Sequence, residues 1–97
     1  MEKVKLYTKN IVNENNVSCQ LEYSLMIRSA ESGSIYGLEV LKKDHEGNAE
    51  KEQVTGFSES REEAEALLFQ FAEGSVFPVE LVALCDDYQS EKELDKD

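Results

Sequence analysis

The amino-acid sequence predicts an α+β domain in which a four-stranded antiparallel meander precedes two C-terminal helices packed on one sheet face (ββββαα). Three observations lead to this prediction. In the first half of the chain apolar and polar residues alternate, which is typical of half-buried strands. After Ser58 the apolar residues recur at three- and four-residue spacing, as in amphipathic helices. The links between the predicted strands are short, and short links join antiparallel neighbours.

The strongest strand pattern covers residues 17–28, VSCQLEYSLMIR. Its odd-numbered positions are apolar, and its even-numbered positions are polar apart from Met26. The preceding segment KVKLYTKNIV alternates less cleanly, and the turn formers NENN at residues 13–16 separate the two. We therefore expect these two segments to form a hairpin.

Two further turn signals extend the sheet. The segment ESGS at residues 31–34 precedes a third strand, IYGLEVLKK, and DHEGN at residues 44–48 leads into a fourth strand over residues 50–57. Gly47 suits a tight turn because it adopts positive φ without steric cost. The four strands with these links predict a meander.

The first predicted helix starts at a capping box formed by Ser60 and Glu63. Gly74 follows its last turn, and we expect it to end the helix in a left-handed conformation. The apolar stripe that would face the sheet consists of Ala64, Leu67, Leu68 and Phe71.

The second predicted helix starts near Pro78, which suits a first helical turn because its missing N–H needs no partner there. Its apolar stripe consists of Leu81, Leu84, Cys85 and Tyr88. The 97 residues are enough for one domain. We assign it to residues 1–88 and expect the charged tail at residues 89–97 to be disordered.

The charge of the chain is strongly negative and uneven. Its formal net charge is −11; residues 1–52 carry 9 acids and 7 bases, a net of −2, whereas residues 53–97 carry 12 acids and 3 bases, a net of −9. An acidic surface opposes binding to nucleic-acid phosphates and to anionic membranes. With two cysteines and neither a signal peptide nor a membrane-spanning run in the sequence, we expect a cytoplasmic protein.

No catalytic or metal-binding pattern stands out. His45 is the only histidine and lies in a predicted turn, which is a poor place to hold a catalytic base. The residues around it lack the oxygen spacing of a calcium loop and the further ligands of a zinc site. We therefore expect no enzymatic activity, catalytic residue, metal or cofactor.

The sequence favours protein–protein interaction or regulation through the acidic helices, with a basic protein or a second copy as partner. The residues expected at that surface are Glu62, Glu63, Glu80, Asp86 and Asp87. One alternative is a small-molecule pocket between sheet and helices near Tyr36, Cys85 and Tyr88. Another is an acidic mimic of nucleic acid that blocks a basic protein.

The segments LEYSLMI, YGLEV and VFPVELVALCDDY resemble a family of short Gram-positive bacterial proteins of unknown function. The resemblance covers roughly residues 18–88, and its most specific parts are Tyr36-Gly37 and the Val-x-Pro-Val-x-Leu segment that leads to Asp87-Tyr88. In that family a small hydroxyl residue precedes the proline and a histidine often follows two positions later. Phe77 and Glu80 occupy those positions in this chain. The resemblance covers nearly the whole predicted fold and implies no established activity, catalytic residues or cofactor.

Overall fold

A computed structural model of the chain describes residues 2–12 and 15–94 and confirms the predicted element order. The elements are β1 (Glu2–Val12), β2 (Ser18–Ala30), β3 (Gly33–Asp44), β4 (Ala49–Ser58), α1 (Arg61–Glu73) and α2 (Pro78–Leu94). The strands form one antiparallel sheet in the order β1-β2-β3-β4. Both helices contact the sheet, α1 over β1 to β4 and α2 over β3 and β4.

The hydrophobic core lies between the helices and one side of the sheet, here called the inner face. Tyr23 pairs with Val40 across β2 and β3, and Leu25 pairs with Leu38. All four side chains are fully buried and pack with the predicted apolar residues of both helices. Burying a side chain of this size contributes roughly 1.5–3 kcal/mol, so this layer is the main source of stability.

A bulge in β4 turns one aromatic side chain into the core. Tyr36 pairs with Ser58 and Leu38 pairs with Val54, so three residues of β4 lie opposite Gly37 alone. A Cβ atom on Gly37 would lie 2.5 Å from the carbonyl oxygen of Val54, and therefore only glycine fits there. Phe57, at the end of the bulge, is buried in the core.

The opposite side of the sheet, here called the outer face, buries two carboxylates although both helices pack on the inner face. Glu22 is 7 % exposed and Glu39 is 1 % exposed. Lys5 and Lys43 each lie 3.0 Å from a carboxylate oxygen of Glu22. Glu39 lies 3.1 Å from Lys3 and accepts a 2.7 Å hydrogen bond from Gln53. The lysine side chains thus cover the carboxylates and compensate their charge.

Helix α1 ends in a Schellman motif, with a serine at the left-handed position. Val76 N–H donates to Phe71 O at 3.0 Å, and Ser75 N–H donates to Ala72 O at 3.2 Å. Gly74 has φ −88, so the prediction of a left-handed Gly74 is wrong; Ser75 adopts φ 54 instead. The hydrogen bonds of the motif and the burial of Val76 hold Ser75 in a conformation that serine does not favour.

The beginnings of both helices use side-chain caps. At α1, Glu63 N–H donates to Ser60 Oγ at 3.2 Å, as predicted, and Ser60 N–H donates to Ser58 Oγ at 2.9 Å. At α2, Phe77 N–H donates to Glu80 Oε2 at 2.9 Å.

Helix α2 begins at Pro78, as predicted, and continues to Leu94, past the expected domain boundary at residue 88. Residues 95–97 of the expected tail lie outside the described residues. Within the described part of the chain, neither helix is long and apolar enough to span a bilayer.

Side chains from β1 and β2 bond to the last turn of α1 and to the connector between the helices, residues 74–77. The Tyr23 hydroxyl donates to Val76 O at 2.9 Å inside the core. Lys9 Nζ lies 3.1 Å from Ala72 O and 3.3 Å from Glu73 O. A cation is favourable there because the last carbonyls of a helix carry partial negative charge.

The left-handed conformation of Ser75 predicts that Ser75→Gly raises the free energy of unfolding. Glycine avoids the Cβ cost of the left-handed conformation, and we expect a gain of about 0.5–1 kcal/mol in the free energy of unfolding. Urea denaturation measures this gain. Gly74→Ala is the matched control, because its Cβ would make an ordinary 3.5 Å contact with Gln70 O. A large loss in Gly74→Ala together with no gain in Ser75→Gly would contradict the assignment.

The ion pairs of Glu22 predict a pH-dependent contribution to stability. Hydrogen bonds from Lys43 and Lys5 lower the pKa of Glu22 below its ordinary 4.5. A lowered folded-state pKa stabilises the fold above the unfolded-state pKa, and this stabilisation is lost as the pH falls through the folded-state pKa. We expect Glu22→Gln to cost about 1 kcal/mol at pH 7. The difference from wild type should shrink progressively below pH 4.5.

Urea denaturation at a series of pH values measures this effect. Glu31→Gln, in the exposed β2–β3 turn, removes the same charge without touching the ion pairs. A constant difference between wild type and Glu22→Gln from pH 7 to pH 3 would argue against the role of these pairs.

Candidate interaction surface and cleft

The outward side of α2 carries exposed valines next to acidic side chains. Val79 is 81 % exposed and Val82 is 45 % exposed. Asp86 follows at the spacing i, i+3, i+7 and is exposed as well, so the three side chains lie along one side of the helix. We call these three residues, together with Glu80 and Asp87 on the flank, the α2 surface.

The predicted acidic residues have different environments. Glu62, Asp86 and Asp87 are exposed. Glu80 is exposed, but its carboxylate caps α2. Glu63 is half-buried and accepts a 3.2 Å hydrogen bond from the Tyr88 hydroxyl, which joins the start of α1 to α2. Glu80 and Glu63 therefore have structural roles, whereas Glu62, Asp86 and Asp87 are the exposed acids of the predicted set.

The residues of the predicted pocket pack into the body of the protein. Cys85 is buried, whereas Tyr36 and Tyr88 are half-buried and pack against the core. The Tyr88 ring lies 5.7 Å from that of Phe57. Burial, reinforced by the charge of Asp86, raises the pKa of the Cys85 thiol to about 11, so this thiol stays protonated at neutral pH.

The structure shows a cleft at the other end of the sheet, with a volume of about 310 Å³. We call it the connector cleft because Phe77 of the connector forms one wall. The rest of its lining consists of Ile11, Val17, Ser18, Cys19 and Lys42, with Asp44, His45 and Glu46 at the β3–β4 turn. A second, more open cleft of about 400 Å³ shares Cys19 and His45 with it and includes Lys43 of the outer face.

The β3–β4 turn at the rim of the connector cleft is held by Asp44. Its Oδ1 accepts from the backbone N–H groups of Glu46 and Asn48 at 2.9 and 2.8 Å, and its Oδ2 accepts from the Asn48 side chain. These bonds, chiefly those from Asn48, lower the pKa of Asp44. The Asp44 carboxylate is therefore part of the turn structure. His45 Nε2 lies 3.8 Å from Glu46 Oε1.

Among the described residues, no group of three or more His, Cys, Asp or Glu side chains is arranged to hold an ion. Cys19 and Cys85 are both free thiols. Cys19 and His45 line the same two clefts, although the sequence placed one on a strand and the other in a turn.

Sequence reasoning missed two features of the structure, the connector cleft and the burial of two carboxylates on the outer face. The connector cleft was missed because its walls come from four separate segments of the chain. The buried state of Glu22 and Glu39 was missed because alternation assigns polar residues to the outer face without indicating how deeply they lie. The lysines of neighbouring strands were the available signal, since Lys3, Lys5 and Lys43 share that face.

Comparison with known proteins identifies a family. The model of a Family of unknown function (DUF6514) matches residues 2–91. Neither the curated proteins nor the solved structures gave a significant match.

Proposed function

The chain belongs to this family of unknown function, and we propose that it is a small non-enzymatic interaction module that binds a basic partner protein through the α2 surface. The observation that supports the proposal is the exposure of Val79 and Val82 on the same side of the helix as Asp86. An amphipathic helix that docks into a groove uses anchors at this spacing.

The energetics favour a partner with an apolar pocket. Val79 and Val82 leave apolar surface in water, and removing such surface from water contributes roughly 25 cal/mol per Å². Two valines give a modest gain. The remainder of the affinity would come from further contacts around them, as in other interfaces where a few central side chains dominate.

The charges favour a basic partner over a second copy of the chain. Residues 78–90 contain three acids, Glu80, Asp86 and Asp87, and no base. In a two-fold dimer built on this surface the same acids from both copies would approach one another, which is costly. A basic rim around an apolar pocket would instead attract them and speed the encounter.

The proposal extends to the compartment in which the protein works. The free thiols of Cys19 and Cys85 suit a reducing compartment. We therefore propose a cytoplasmic location, and the resemblance to Gram-positive bacterial proteins supports a source of that kind. The acidic character of the chain favours a protein partner over nucleic acid or membrane.

The test compares partner capture by wild type and by the double variant Val79→Ser/Val82→Ser. Both substitutions are on the surface, and serine and valine have similar helix propensities, so the fold should be unchanged. Immobilised proteins are incubated with lysate of the source cells, and quantitative mass spectrometry identifies proteins that the double variant loses. The strongest such protein is then purified, and its affinity is measured by titration. We expect the double variant to bind it at least tenfold more weakly.

Two further variants complete the test. Val12→Ser removes another exposed valine, 62 % exposed at the end of β1, and should leave the affinity unchanged. Asp86→Asn/Asp87→Asn should slow association and reduce its dependence on salt. The proposal is wrong if every captured protein binds wild type and the Val79→Ser/Val82→Ser variant equally.

A further inference from the structure

We propose that the connector cleft is a binding site for a small carboxylate with a short apolar body, such as a short-chain fatty acid or an aryl carboxylate. The proposal is independent of the α2 surface. It rests on the position of the cleft on the inner face, on its apolar lining and on Lys42.

The cleft exists because the strands extend beyond the helices. β2 has 13 residues and spans roughly 40 Å, whereas α1, also 13 residues long, spans roughly 20 Å. Near the connector, the inner face continues past Leu21. Cys19 pairs there with Ile11 on β1, and Lys42 pairs with Leu21. Past the fully buried Leu21, the side chains of Ile11, Cys19 and Lys42 form a strip of inner face that the helices leave partly uncovered.

The uncovered strip is suited to an apolar ligand. Ile11, Val17 and the thiol-bearing Cys19 line one part of the cleft, and Phe77 lines another. The volume of about 310 Å³ is at the small end of the range for ligand sites. A ligand with a short chain or a single ring matches that volume.

Lys42 provides the charge that selects an anion. Among the six lysines whose side chains the structure describes, four pair with carboxylates and Lys9 bonds to helix carbonyls. Lys42 makes no ion pair within the described part of the chain. Its Nζ lies 5.2 Å from the centre of the Phe77 ring. Lys42 is half-buried and lies opposite Glu50 across β3 and β4 without forming an ion pair with it, so a ligand carboxylate could pair with its ammonium.

The acids at the rim limit the ligand to a single negative charge. Asp44 is ionised and bonded within its turn, and Glu46 lies beside His45. Their repulsion disfavours phosphates and dicarboxylates, which carry more charge. It also orients the ligand, with its carboxylate at Lys42 and its apolar body toward Val17 and Ile11.

The test titrates full-length protein with hexanoate and benzoate, and with 1-hexanol and benzyl alcohol as uncharged counterparts. Backbone amide shifts in two-dimensional NMR report the site. We expect a saturable shift for at least one carboxylate at residues of the connector cleft, with about tenfold weaker binding of the matching alcohol. Absence of a saturable shift with both carboxylates, or shifts confined to other regions, would overturn the proposal.

Three variants test the role of Lys42. Lys42→Met should reduce carboxylate affinity about tenfold, to the level of the alcohol, and Lys42→Arg should largely retain it. Lys51→Met removes a lysine from the outer face and should have no effect. Equal carboxylate affinity in wild type and Lys42→Met would overturn the assignment.

Alkylation of Cys19 provides a second readout. Cys19 lines the cleft, whereas Cys85 is buried and serves as an internal reference. At the same carboxylate concentration, bound ligand should slow the reaction of Cys19 with iodoacetamide more in wild type than in Lys42→Met, as measured by mass spectrometry. Equal reaction rates with and without saturating carboxylate would place the ligand outside the cleft.

Discussion

The arrangement of the helices on the sheet depends on one buried hydrogen bond, from the Tyr23 hydroxyl to Val76 O. The Tyr23 ring is fully buried in the centre of the inner face, and its hydroxyl reaches the connector at 2.9 Å. Burial, with the nearby charge of Glu80 as a smaller cause, raises the pKa of Tyr23 to about 12, so the group remains a donor at all physiological pH values. Without this donor the Val76 carbonyl would lose its partner in the core, and an unsatisfied buried acceptor is costly.

Both candidate sites follow from the position of the connector. Phe77 directly follows Val76, and it forms one wall of the connector cleft and contacts Lys42. The Phe77 N–H is also capped by Glu80, so the same residue sets the start of α2. The direction of α2 in turn places Val79 and Val82 on the outside. The cleft and the α2 surface are therefore two consequences of one constraint.

The sequence could predict most of the fold because its local patterns agree with its long-range packing. The alternation around Leu21, Tyr23 and Leu25 and the helical stripe through Leu68 indicate the two faces that meet in the core. The left-handed Ser75 could not be predicted in this way. Its conformation is imposed by the packing of Val76, whereas local preference favours the neighbouring glycine.

The sites were less predictable than the fold for a related physical reason. The exposure of Val79 follows from helical spacing alone, since that residue lies opposite the buried stripe. The roles of Glu63 and Glu80 in holding Tyr88 and the α2 start depend on neighbours that only the folded chain provides. The connector cleft depends on where the helices end along the strands, and no local pattern encodes that distance.

Hydrogen exchange in Tyr23→Phe tests the central constraint most directly. The substitution keeps the ring in the core and removes only the donor to Val76. We predict a loss of about 1 kcal/mol in the free energy of unfolding, with faster amide exchange in residues 76–88 than in wild type and a smaller change in β2 and β3. Wild-type stability together with unchanged exchange in α2 would contradict the account.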